Sequence, residues 1–325
     1  MSPEEEVKEP ECKYVTVGMS IDSSGKDTKS VVTSEVEEFH KAILYALNPS
    51  TGAILNYGSN AGELSGSPVW ISTQSKYFSW PLPEKTAMTV YCIVNPPDGF
   101  EDDLPTSSVT KQKLENKYFT CMGHTGLKAL ESSGNGLPLT GIKSVDQGEI
   151  TTDDAFLSVS VVHIFAKYSF SIDLSGLGEG ESISVKKLAV NNGNAKVPFF
   201  ASGYKQSDDS FLTDSDYASS AQLAQLSKGG NNSVDIYVLE NCHGTHEGAS
   251  SWWTVYKDLN KTWPEISQCT FIQLSYSITG KDGDINSYLS RIYLGEGNMV
   301  SDFNVRRNLY KSICIKVGRR TAETD

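Results

Sequence analysis

A chain of 325 residues can bury a full core without disulfide help, and 40 acidic against 28 basic side chains leave it a net charge of −12. That balance argues against nucleic acid as the main partner, because phosphate binding needs a dense basic face. No run approaches the roughly 20 consecutive apolar residues of a bilayer-spanning helix.

From the N-terminus, residues 2–11 (SPEEEVKEPE) are acidic and polar and do not themselves read as a signal peptide. A cytosolic protein and the mature form of an exported one both stay open. In KYVTVGMSID (13–22), Val15, Val17, Met19 and Ile21 alternate with Tyr14, Thr16, Gly18 and Ser20. This period of two predicts a strand with the first set on a core and Tyr14, Thr16 and Ser20 outward. Met88, Val90, Cys92 and Val94 repeat the pattern, and VTKQKLEN (109–116) predicts a short helix. The polar stretch KSVDQGEITTDD (143–154) is the expected domain boundary. Beyond it, FLSVSVVHIFAKYSFSIDL (156–174) changes phase. Leu157, Val159 and Val161 are apolar in the odd phase, and from Ile164 onward the even positions are. A β-bulge or a sheet-to-sheet crossing is expected at Val161 and Val162, with His163 facing outward.

GLGEGES (176–182) runs from one strand into another and predicts a turn rather than a phosphate cradle. SSAQLAQL (219–226) predicts a second short helix. Val234, Ile236 and Val238, then Ile272, Leu274, Tyr276 and Ile278, mark two further strands. The irregular stretches 202–233 and 241–267 are expected to be surface loops. Many spaced strands with few helices indicate all-β sandwiches. Cys12, Cys92, Cys121, Cys242, Cys269 and Cys314 form no C-x-x-C pair. Mostly buried free thiols are the first reading and one or more disulfides the second.

Little in the chain points to chemistry. CHGTH places Cys242, His243 and His246 together, but a structural zinc site needs four ligands and no second cluster stands elsewhere. The G-x-S-x-G, H-E-x-x-H and P-loop patterns are absent. No metal, cofactor or catalytic set is assigned. Trp252, Trp253 and Trp263 share one long loop, where aromatics either stack on a sugar or partner or fold back beneath their own domain. Arg306 and Arg307 precede the last alternating run (309–317) and read as an anion clamp or as a turn feeding that strand.

Several stretches, in order, resemble one family. DFNVRRN (302–308) before a closing strand, IYVLENCHGT (236–245), LPLTGIKSV (137–145) followed by VSVVHIFAKYSFSIDL, and KYVTVGMSID followed by GKDTKSVV and AILYAL are similar to the fimbrillins, the subunits of type V pili. The resemblance runs from residue 13 to 317. Lys26 and Lys29 stand in the processing loop where arginine is commoner, and Cys242 and His243 depart from the family's usual residues.

The resemblance implies an all-β chain of two tandem transthyretin-like (Greek-key) β-sandwich domains with long surface loops. An acidic tether would occupy 1–12, an N-terminal sandwich with a cleavable first strand 13–148, and a C-terminal sandwich 149–325. It implies a non-enzymatic cell-surface pilus subunit, tip or adhesin-like, exported as an outer-membrane lipoprotein. Cleavage at Lys26 or Lys29 would release the strand carrying Val15, Val17, Met19 and Ile21. A strand from another subunit would then fill the groove. Trp252, Trp253 and Trp263 would form an adhesive loop for a host or bacterial surface protein or glycan. Arg306 and Arg307 become structural, paired with Asp302 or Glu296 on the surface. Met1 is expected to stand where the exported protein carries a lipidated cysteine. GRRTAETD (318–325) has no alternating apolar set, so a tip subunit and a chain lacking a further domain both stay open. The alternative function is a surface glycan-binding β-sandwich lipoprotein. A secreted hydrolase would need converging carboxylates or a nucleophile, which the sequence lacks.

Overall fold

The computed structural model describes residues 13–23, 40–59, 69–70, 77–102, 104, 109–121, 123, 126–129, 136–152, 154–205, 211–214, 216–246, 263–297 and 301–319. The chain is all-β and divides into two units. The first holds 37–116 and 138–161 together with the N-terminal strand, and the second holds 117–137 and everything from 162 on.

In chain order the strands of the first unit begin with β1 (Tyr14–Ser23), β2 (Ala42–Leu47), β3 (Ile54–Ser59), β4 (Val69–Trp70), β5 (Tyr77–Pro83) and β6 (Met88–Val94). Helix α1 (Lys111–Glu115) follows, begun by Thr110, whose hydroxyl accepts the Lys113 N–H. After β7 (Tyr118–Thr120), which sorts with the second unit, come β8 (Leu139–Val145) and β9 (Phe156–His163). The first unit's sheet runs β3-β2-β6-β8-β9-β1-β5-β4. It curls so that its ends approach: the Asn56 amide on β3 donates to the Pro81 carbonyl on β5. Inward side chains of β1, β5 and β9 meet those of β2, β6 and β8 in one core that includes Trp80, Met19, Val17, Val90 and Val159.

The second unit continues with β10 (Phe165–Gly176), β11 (Ser182–Gly193), β12 (Lys196–Pro198), β13 (Leu212–Asp214), helix α2 (Ser220–Leu226), β14 (Ser233–Leu239) and β15 (Asn241–Thr245). A short 3-10 turn (Pro264–Gln268) precedes β16 (Phe271–Thr279), β17 (Ile285–Tyr293), β18 (Asp302–Val305) and β19 (Tyr310–Gly318). Two sheets, β14-β10-β19 and β13-β11-β16-β17, close over a core that includes Tyr168, Phe170, Ile236, Leu274 and Ile278. Helix α2 carries a capping box, Ser219 with Gln222, and its Leu226 joins that core. The turn 177–181 joins β10 to β11, with Gly180 at φ +79°, where glycine is unstrained.

Two expectations are corrected. His163 does not face water; it is 3% exposed, packed on the rings of Phe165 and Tyr310. The phase change is the passage between units: Val161 belongs to the first core, the strand breaks at Ile164, and Ala166 and Tyr168 enter the second. Both phases are buried there, so alternation no longer reports the water side. Ser20 is also buried, not outward. In the register it lies opposite Tyr77 of β5 and Ser158 of β9, so a paired strand flanks so short a side chain on both edges. Tyr14 and Thr16 do face water, because the β9 register begins only at Gly18.

Candidate functional site

Strand β1 is the element whose sequence and surroundings are most specific. It pairs antiparallel with β5, from Tyr14 opposite Pro83 to Ser20 opposite Tyr77. On its other side it pairs parallel with β9, from Gly18 opposite Phe156 to Ser23 opposite Val161. Val15, Val17, Met19 and Ile21 are 3, 0, 0 and 0% exposed, all in the first core. Burying four such side chains contributes about 6 to 12 kcal/mol before chain entropy is charged. Gly18 lets Phe156 cross close by, since a Cβ there would stand 3.1 Å from the Phe156 ring. The start of the strand is tied by the Glu84 N–H donating to the Lys13 carbonyl (2.7 Å) and by the Lys13–Glu84 ion pair (3.4 Å).

Were β1 absent, β5 and β9 would each present one row of unpaired backbone groups, flanking an apolar floor. That is an acceptor for an extended strand with apolar residues at every second position. The expected processing residues, Lys26 and Lys29, lie outside the described residues, as do Trp252 and Trp253. Trp263 is described: it is half-buried, stacked on His246 at 4.7 Å between ring centres and tilted against Phe303 at 5.1 Å.

The segment 236–245 with 302–308 forms the second distinctive constellation. β15 pairs with β18, Asn241 opposite Val305. Arg306 is an exposed partner of Glu296 (2.7 Å), in keeping with the surface pair expected from sequence. Arg307 is not. Its side chain is 8% exposed and its Nη2 lies 3.0 Å from the carboxylate of Glu240, which is 1% exposed. Its remaining donors go to the carbonyls of Pro198, Phe199 and Ala201. Glu240 in turn accepts the N–H groups of Gly203 (3.0 Å) and Tyr204 (3.3 Å). Asp302 pairs with neither arginine; its carboxylate accepts from the Asn304 N–H and side chain and from the Gly297 N–H. Neither arginine stands ready for an anion. Glu240 entered the sequence reading only within IYVLENCHGT (236–245), where it was given no role.

The CHGTH side chains do not converge on a metal. Among the described residues no three His, Cys, Asp or Glu side chains are grouped to hold an ion. Burial, with Glu240 nearby, pushes the Cys242 thiol up to about 12, and burial also raises Cys92 and Cys269. These are inert thiols, and the described cysteines are all free, Cys314 being exposed. The His243 side chain is fully buried, its Nδ1 3.7 Å from Glu265, which pairs with Lys205 (2.5 Å). Burial, with the Lys205 charge next, holds its pKa below the ordinary histidine value.

Residues 236–311 match a family described as a domain of unknown function, DUF4906. No curated protein matches the sequence. Among solved structures, the tip fimbrial protein Mfa3 from Porphyromonas gingivalis, in a C-terminally truncated form, is similar at 15% identity over 95% of this chain and 96% of that one, with a TM-score of 0.58. A candidate cell adhesion protein from Parabacteroides distasonis is similar at 11% identity over 96% and 93%, with a TM-score of 0.55. A fimbrial assembly protein from the same organism gives 13% identity over 95% and 93%, with a TM-score of 0.52. At these identities the likeness establishes a shared fold across nearly the whole of each chain.

Proposed function

We propose that the chain is a non-enzymatic subunit of a cell-surface fimbria, at the tip or adhesin-like, which joins other subunits by exchange of β1. The observation that carries this reading is β1 itself. It is the first described element, it lies between two strands that would both gain an open edge without it, and it is held by four alternating apolar side chains. The fold shared with a tip fimbrial protein supports the same reading. Cleavage at Lys26 or Lys29, between β1 and β2, would leave β1 held only by its pairing and burial, hence replaceable by a strand of like pattern. Adhesion would fall to the loop carrying Trp252, Trp253 and Trp263, and a lipid-anchored precursor would place the subunit at the outer membrane.

Limited trypsin digestion tests the reading. The first cuts are expected at Lys26 or Lys29. The nicked protein, incubated with a labelled peptide of residues 13–23, should take up one peptide and release its own strand. A peptide carrying Val17→Asp should not enter, because the groove would have to bury an unpaired carboxylate. A nicked protein that neither takes up peptide nor self-assembles would sink the exchange mechanism. Sugar-dependent thermal stabilisation without peptide uptake would favour the glycan-binding alternative.

A further inference from the structure

Sheet edges invite pairing with other chains, and three of the four edges of the second unit's two larger sheets are blunted. β13 has three residues. The β14 edge is capped by Tyr217, whose hydroxyl donates to the Asp235 carbonyl (3.3 Å) and accepts the Tyr237 N–H (2.9 Å). β19 carries Lys311 and Lys316. β17 is different. Its nine residues, INSYLSRIY, contain no proline and no lysine, and its register with β16 is unbroken from Phe271–Tyr293 to Thr279–Ile285. Two of its aliphatic side chains are the exposed ones of this sheet: Ile285 at 67% and Leu289 at 55%.

The backbone phase of this edge follows from the turns at its two ends. The Gly280 N–H donates to the Asp284 carbonyl (2.8 Å) and the Leu294 N–H to the Thr270 carbonyl (2.9 Å). Bonded pairs alternate along an antiparallel ladder, so residues 284, 286, 288, 290, 292 and 294 bond to β16. Ile285, Ser287, Leu289 and Arg291 therefore aim their N–H and C=O groups away from β16. The same phase carries the exposed aliphatics, while Tyr288 and Ile292 pack on the core.

We propose that β17 is a homotypic docking edge, at which two copies of the chain pair β17 antiparallel about a two-fold axis through Ser287. Ser287 lies midway between Ile285 and Leu289. In this register Ile285 stands opposite the partner's Leu289, and Leu289 opposite the partner's Ile285. All four exposed aliphatics are covered on one face, and the outward backbone groups of residues 285, 287 and 289 are satisfied in both copies. Arg291 falls opposite the partner's Gly283, so no like charges meet. A two-residue slip would set Ile285 against the partner's Arg291 and leave Leu289 against the partner's Ser287, which forfeits the apolar pairs. The occupant fits itself, which is the requirement of an isologous contact. One strand edge and two aliphatic pairs make a small interface, so the association is weak and concentration-dependent.

Sedimentation velocity at tens to hundreds of micromolar protein should show a shift from monomer toward dimer. Leu289→Lys, at an exposed site that leaves the thermal melt unchanged, should abolish that shift, while Ser312→Lys on the β19 edge should not. The register is read by cross-linking in a Cys12→Ser, Cys314→Ser background, which removes Cys314, the exposed thiol among the described residues, and Cys12, which lies outside them. With a short thiol-to-thiol reagent Ser287→Cys should cross-link. Leu289→Cys should not, because the two copies of residue 289 lie about 14 Å apart, four residues of strand rise. A chain that stays monomeric at every concentration overturns the proposal. So does a dimer indifferent to Leu289→Lys, or one that cross-links at 289 and not at 287.

Discussion

Arg306 and Arg307 are neighbours in sequence with very different surroundings. Arg306 meets Glu296 with about half of each side chain in water, and pairs of that kind contribute about 0 to 1 kcal/mol. Arg307 and Glu240 are both buried and spend their remaining capacity on backbone groups of 198–204. Removing one partner leaves the other charged and unmatched in a dry site, at a cost of about 3 to 5 kcal/mol. Glu240→Gln should therefore lower the unfolding free energy of the second unit by about that much in urea titration, while Arg306→Ala changes it by under about 1 kcal/mol. Equal effects would show that Arg307 is not the residue that orders this turn. The family resemblance implied that both arginines are structural but could not separate them, because burial depends on a loop more than a hundred residues away in the chain. His243 carries a pH consequence. The unfolded chain protonates it near pH 6.5, whereas burial in the fold resists the charge. Below that pH the unfolded state binds more protons than the native state, so stability falls as pH drops from about 6.5 toward the depressed native value. Glu265, held low by Lys205, and Asp284, held low by Arg319, act in a lower window, because their stabilisation is lost only as they protonate in acid. Urea titrations should show the wild type losing stability faster than His243→Gln as the pH falls below about 6.5. Parallel slopes throughout would mean that the native site accepts the proton freely.

At the scale of elements, legibility followed whether one face of a strand meets water. β1 and β16 were readable because polar and apolar residues alternate on them, and the inward sets entered the cores as expected. Both short helices fell within the expected stretches 109–116 and 219–226, and the structure shows each begun by a cap, Thr110 and Ser219. β6 was readable only in part: Met88, Val90, Cys92 and Val94 face the core, yet Tyr91 and Ile93 are buried too. The three-residue β7 was not legible, since its partner β12 lies about 78 positions later and neither has enough residues to show a period. Close approach between strands left only glycines as a trace. A Cβ at Gly141 on β8 would stand 2.2 Å from the Ser160 carbonyl oxygen of β9, so that glycine is required by the crossing of two strands rather than by a turn. The Asn308 turn is the reverse case. Its φ of +59° suits asparagine, its side chain accepts the His163 N–H (3.3 Å) and its own N–H reaches the Phe165 carbonyl (2.8 Å). The asparagine after two arginines thus sets where β19 begins beside β10, and the sequence showed the residue but not the bond.

At the scale of the molecule, the two cores consist of different residues, one from β1, β2, β5, β6, β8 and β9 and the other from β10, β11, β14, β16 and their neighbours. The strand proposed for exchange contributes to the first core alone. Its removal should therefore be felt through one unit, which is what a subunit needs if it is to open a groove while the rest of its fold stays intact. Val17→Asp makes this measurable. Val17 is 0% exposed, opposite Trp80 on β5, and has no polar partner at its side chain. A carboxylate there must stay unpaired in an apolar site, take up a proton, or force β1 out, and the last route costs the pairing and burial of that one strand. Hydrogen exchange of the variant should speed up in β1 and along the edges of β5 and β9 that face it. Exchange in β10, β14 and β16 should match the wild type. Faster exchange spread evenly over both units would mean that the cores unfold together, and β1 could not then be replaced without losing the whole fold. Unchanged exchange everywhere would mean that β1 was not anchored by its inward side chains at all.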